Sequence, residues 1–202
     1  MRKLTTLFSI ILLCSFITHQ DPITQQERKF ATDFLTKTED SLLAAVKGLS
    51  KAQLQFKAAP DRWSIEDCMK HIAMAEGGLK HVIDSVVSTE ATPDKRNDIK
   101  ATDEQVIMMI SDRSHKMQAP EFLKPENTPY KSFGEAEEAF KKEHQDLINF
   151  VGSTDKDLRN HVVVLPFGSF DTYQMVLFTG SHTKRHTLQI LEVKADPKFP
   201  KK

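Results

Sequence analysis

Apolar residues recur at helical spacing in four long stretches of this 202-residue chain. Over residues 24–46, Phe30, Phe34, Leu35, Leu42 and Val46 share one stripe, while Glu27, Arg28, Lys37, Glu39 and Asp40 can face water. Gly48 suits the end of that helix. A second pattern starts at Ser64, an N-cap residue with Asp67 three positions on, and carries Ile65, Cys68, Met69, Ile72, Ala75 and Leu79 on one face as far as about Val87. The Gly77-Gly78 pair inside it predicts a kink or a close packing point. A third stripe follows Ser132, through Phe133, Ala136, Phe140, His144, Leu147 and Val151, and a fourth helix covers residues 172–193.

The connections have their own patterns. Residues 48–63 form a linker punctuated by Pro60 and Asp61. Residues 88–132 are long and polar, with one short helix capped by Thr102 or Asp103 and then a proline-rich run that excludes regular structure. Residues 157–170 have a strand-like composition, but Pro166 and Gly168 interrupt it, so an extended loop is expected rather than a sheet. These patterns predict an all-α four-helix bundle. The long crossover implies that its second and third helices are not hairpin neighbours.

The first 20 residues differ from the rest. Arg2 and Lys3 precede an apolar run from about Leu4 to Ile17, the plan of a secretory signal peptide and too short to span a membrane as a helix. Residues 1–20 are therefore expected to be a leader and residues 21–202 the mature domain, exported to the periplasm or the medium. Attachment of lipid at Cys14 is the alternative. The mature chain is expected to have no stable membrane span. Cleavage leaves Cys68 alone, so no internal disulfide can form, and the residue reads as a buried small hydrophobe, with a functional thiol or a fourth metal ligand as the alternative.

Charge narrows the function. There are 28 Lys+Arg and 28 Asp+Glu, and neither a basic stripe nor a block of one sign, which argues against nucleic acid as a partner. No nucleophile elbow, phosphate loop or dinucleotide fingerprint occurs. The remaining chemistry lies in the histidines. His182 and His186 are four apart on the fourth helix, about 40° apart around its axis, so both rings can reach one ion. Such a pair also arises by chance. His71 lies on the inner edge of the second helix, where an imidazole is either a hydrogen-bonded core residue or a ligand. Two ligands from one helix do not complete a coordination sphere, and a bundle brings side chains from facing helices inward. His81 reads as exposed, His144 as a partly buried stripe residue, and His115 and His161 as residues of polar connections. Trp63 reads as a plug at the end of the bundle, and Asp67 as a cap that could also orient a ligand ring.

The stretch W-S-I-E-D-x-x-x-H (63–71), followed by G-S-H-T-K-R-H-T-L-Q-I (180–190), resembles the DinB-like superfamily, the group with DinB and YfiT members. The segment DRSHKMQAPEFLKP (112–125) resembles its inter-helix region, and the likeness covers about residues 25–195. The resemblance implies up-down-down-up topology and a divalent metal, commonly nickel or zinc, held by His71, His182 and His186. It implies a small-molecule substrate, with either metal-dependent hydrolysis or thiol S-transfer, and it allows a homodimer. Export weighs against thiol transfer, because low-molecular-weight thiols are mainly cytosolic. A non-catalytic bundle holding a metal or a ligand is the alternative.

Overall fold

The computed structural model describes residues 23–201, so the leader expected over residues 1–20, with Cys14, lies outside the described residues. The elements in chain order are α1 (Gln25–Val46), α2 (Lys51–Leu54), α3 (Ile65–Val87), α4 (Asp103–Ser111), α5 (Phe133–Ser153), β1 (Val162–Leu165), β2 (Gly168–Asp171) and α6 (Thr172–Lys194). Reciprocal capping boxes start α1, α3, α4 and α6, pairing Thr24 with Glu27, Ser64 with Asp67, Thr102 with Gln105, and Asp171 with Gln174. After α1 the chain turns at Gly48, whose φ of 68° favours glycine.

Contacts at the helix ends fix the directions. Arg28, near the start of α1, donates to the carbonyls of Val151 and Thr154 at the end of α5 (2.6 and 2.9 Å), so these two helices are antiparallel. The Tyr173 hydroxyl donates to Glu27 O (2.9 Å) and Lys194 to Ala45 O, so α6 runs parallel to α1. Glu76 of α3 meets both His144 of α5 and Thr183 of α6. Apolar neighbours then place the start of α3 beside the start of α5 and the end of α6. The four long helices α1, α3, α5 and α6 thus run up, down, down, up, as expected. The crossover from α3 to α5 carries α4 along the outside of α6. Among the described residues no helix is long and apolar enough to cross a membrane.

Two expectations need correction. Residues 162–171 form an antiparallel hairpin, with Leu165 opposite Gly168 and Val162 opposite Asp171. Pro166 and Phe167 make its two-residue turn and Gly168 takes φ 153°, so the residues read as interruptions build the turn. Gly77 and Gly78 are no packing point: α3 runs through them unbroken, and nothing lies within 4 Å of where a Cβ would stand.

The core has two apolar clusters. One includes Leu35, Ile83, Val106, Leu147, Val151 and Leu177, the other Leu42, Ile65, Met69, Ile72, Phe140 and Ile190. On every long helix a polar residue separates them: Thr38 on α1, Glu76 on α3, His144 on α5 and Thr183 on α6. α6 is buried without interruption from Thr172 to Ser181, because α1, α3 and α4 all pack on it. Its hydroxyls are accommodated by bonding back along the helix, Thr179 to Met175 O, Ser181 to Leu177 O and Thr187 to Thr183 O. Gly180 permits the close approach of α1, since a Cβ there would stand 2.8 Å from Phe34 Cε1.

Candidate metal centre

The antiparallel packing of α3 on α6 brings the start of one beside the second half of the other. His71 thereby meets His182 and His186. One ligand-capable atom from each of the three lies within 4.8 Å of the others, and among the described residues this is the single His/Cys/Asp/Glu group so arranged. His71 Nε2 stands 3.1 Å from His182 Nε2. Two nitrogens bound to one ion at roughly 2.0–2.1 Å are about 2.8–3.4 Å apart, so this edge already has coordination spacing.

Two rings are held in the tautomer that coordination needs. His71 Nδ1–H donates to Leu123 O (2.8 Å), in the proline-rich part of the crossover, which leaves Nε2 free. His186 Nδ1–H donates to Gln189 Oε1 (2.9 Å), one turn on along α6, with the same result. Gln189 Oε1 also accepts from Arg113, which in turn grips Glu192. His182 has no such partner at Nδ1. All three imidazoles are held neutral. Burial lowers the His71 pKa. Burial, and then the neighbouring His71 and Arg185, push His182 down to about 3. Burial, followed by His182 and His71, lowers His186 well below its ordinary value. Neutral imidazole is the form that binds metal. The donor set, its spacing and its tautomers therefore fit a divalent ion.

Trp63 does more than close the bundle. Its ring centroid is 4.8 Å from that of His71 and 6.0 Å from that of His186, so it forms one wall of the cluster. Asp67 does not orient a ligand ring. It caps α3 through Ser64 and pairs with Lys57 at 2.8 Å. Cys68 is fully buried in the apolar cluster and is not in the ligand group, and burial raises its thiol pKa. His81 and His115 are exposed. His161 is buried, with Nδ1 on Asp157 O (2.6 Å) and Nε2 on Thr89 O (3.0 Å), and so ties the hairpin to the crossover. Two surface clefts, one by Leu43, Phe133 and Glu137 and one by Glu27, Arg96 and Arg159, contain none of the three histidines.

Two polar centres are not evident from the sequence pattern. His144 is wholly buried, with Nδ1 2.8 Å from Glu76 Oε1 and Nε2 3.0 Å from Leu35 O. Burial opposes protonation of His144, but Glu76 overrides it and raises its pKa, while burial raises that of Glu76. The pair thus shares a proton within the core. At the other end of α6, Arg159 contacts Glu27, Asp103 and Asp171, and its guanidinium lies 4.2 Å from the Tyr173 ring centroid. The signal for Glu76 was a carboxylate one turn and a half beyond His71, at a level where the apolar stripe is interrupted.

The fold has counterparts among known proteins. The family model described as the DinB superfamily matches residues 35–190. The uncharacterized protein YuaE of Bacillus subtilis (strain 168) is 25% identical over 150 residues, which cover 74% of this chain and 88% of YuaE. The solved structure of YfiT from Bacillus subtilis, described as a probable metal-dependent hydrolase with an unusual four-helix bundle topology, aligns with a TM-score of 0.57 and 15% identity. That alignment covers 85% of this chain and 88% of YfiT.

Proposed function

This chain belongs to the DinB superfamily, and from that premise we propose that it is an exported metal-dependent hydrolase acting on a small molecule, with zinc or nickel held by His71, His182 and His186. The observation that carries the reading is the convergence of three neutral imidazoles from α3 and α6, two of them with Nδ1–H already donated. A hard ion such as magnesium prefers oxygen ligands, whereas three imidazoles suit zinc and nickel. The pattern of residues 1–20 supports export.

When bound, a divalent ion on three neutral ligands supplies Lewis acidity and makes a water nucleophilic near neutral pH. The chain supplies the rest. Leu123 O and Gln189 Oε1 fix the ring orientations, and burial keeps protons from competing for Nε2. Trp63 shields one side from bulk water. The test is metal analysis of the purified protein, followed by a screen of simple esters, amides and thiol acceptors. The reading predicts about one zinc or nickel per chain, and hydrolysis that needs the metal and disappears in His182→Ala. Transfer to thiols without hydrolysis would contradict the hydrolase reading. Absence of bound metal would contradict the whole of it.

A further inference from the structure

We propose that the metal centre is paired with an oxyanion subsite formed by Ser111, His182 and Arg185, and that the substrate carries a carboxylate which this subsite receives. The inference rests on the metal-dependent reading above and adds the substrate class.

Among the described residues three buried side-chain polar atoms have no hydrogen-bond partner: Ser111 Oγ, His182 Nδ1 and Arg185 Nη1. They fall in one neighbourhood. α4 and α6 run side by side in the same direction. At one end Gln174 Nε2 donates to Ala101 O (2.8 Å), and at the other Arg113 reaches Gln189 and Glu192. Ser111, two residues before Arg113, therefore comes level with the part of α6 just before Gln189. His182 and Arg185 are three apart on that helix and so adjacent on its surface.

Charge identifies the missing partner. Arg185 is only 5% exposed, makes no ion pair among the described residues, and spends Nη2 on His115 O (3.0 Å). The other arginines of comparable setting are compensated: Arg159 by three carboxylates and Arg113 by Glu192. Asp112 and Glu192 lie near enough to act on Arg185 but form no ion pair with it, and a buried guanidinium without a direct counter-ion is costly. Three neutral imidazoles likewise leave a bound ion's charge uncompensated. Once His182 Nε2 is engaged by an ion, its Nδ1 bears the proton and becomes a donor. Arg185 Nη1 is a donor in any state, and the Ser111 hydroxyl can rotate to donate. These three donors have no acceptor among the described residues, and a planar carboxylate with two oxygens complements them.

The test is calorimetric titration of zinc-loaded protein with acetate, in wild type, Arg185→Lys and Ser111→Ala, with zinc content and thermal melting recorded for each. Arg185→Lys keeps a cation that can still reach His115 O, so the loop fold survives, and Ser111→Ala removes a single hydroxyl. Saturable binding is expected in wild type, weakened roughly tenfold or more in Arg185→Lys and several-fold in Ser111→Ala, with zinc content unchanged. Equal acetate affinity in all three proteins would overturn the subsite, since acetate would then be sitting on the ion alone. Phosphate binding more tightly than acetate would overturn the carboxylate assignment. The same titration of metal-free protein separates the two claims: a chain that takes up no zinc refutes the hydrolase reading, yet Arg185-dependent acetate binding still supports the subsite.

Discussion

The two polar ends of α6 were built to opposite rules. At its start, Arg159 is surrounded by Glu27, Asp103 and Asp171, stacks on Tyr173, and joins the beginnings of α1, α4 and α6. Every charge there has a partner, as expected of a structural clamp. In its second half, buried Arg185 and half-buried His182 each carry a buried, unpartnered nitrogen, and three imidazoles crowd together with no carboxylate in the group. Folding alone does not favour that arrangement, since buried polar groups are normally satisfied. A satisfied cluster holds the bundle together, whereas an unsatisfied one is completed by something that binds. The Glu76–His144 pair lies between them and follows the first rule, each group meeting the other and a further partner.

The comparison can be broken most severely at the imidazoles. Zinc binding in structural sites amounts to roughly 10–16 kcal/mol shared among the ligands, so losing one of three is worth on the order of a thousandfold in affinity. His182→Ala should lower bound metal from about one equivalent to near none, while far-ultraviolet circular dichroism stays helical. Next comes the clamp. Arg159→Met strands three carboxylates, and because Arg159 is partly exposed the cost should fall below that of a fully buried pair, about 2–3 kcal/mol. Urea unfolding would register it, and metal affinity should be unchanged. If Arg159→Met abolished metal binding without unfolding the chain, the two ends would not be separate.

Gln189→Ala should have a subtler effect. Removing the acceptor that orients His186 is expected to weaken metal binding about 10–100-fold without lowering stability by more than the loss of one hydrogen bond. Acid acts on the metal-free protein through the same imidazoles. The three imidazoles have lower pKa values folded than unfolded, so the unfolded chain binds more protons below the ordinary value near 6.5. Their contribution is complete above pH 6.5 and declines as pH falls towards the folded value of about 3 for His182. Denaturation midpoints should fall from pH 6.5 downward, and His182→Ala should reduce that slope.

Much of this bundle could be read from its stripes, because amphipathic spacing encodes which face of a helix is covered. α3 and α5 follow that rule, and α1 does so except at Phe30, which the stripe places inside but which lies exposed. α6 does so poorly, since neighbours on several sides bury Thr, Ser and Gly as well as apolar residues. The spacing of His182 and His186 on one helix made that pair visible. His71 could be joined to them only through the family resemblance, because pairing across 111 residues depends on the direction in which α3 packs on α6. Leu123 was not readable at all: it contributes a backbone carbonyl, which any residue carries. Arg159 sits in what reads as a polar connection, and its three partners come from distant segments. Pro166 and Gly168 looked like interruptions because the pattern of one strand does not reveal that the next residues fold back on it.

The most direct test of the account is nitrogen-15 NMR of histidine-labelled protein during addition of zinc. The account predicts that Nε2 of His71, His182 and His186 shifts to a metal-bound position at one equivalent, that Nδ1 of each carries the proton, and that His144 and His161 do not move. Zinc uptake that leaves the His71 ring unperturbed, or that shifts His144 instead, would contradict it.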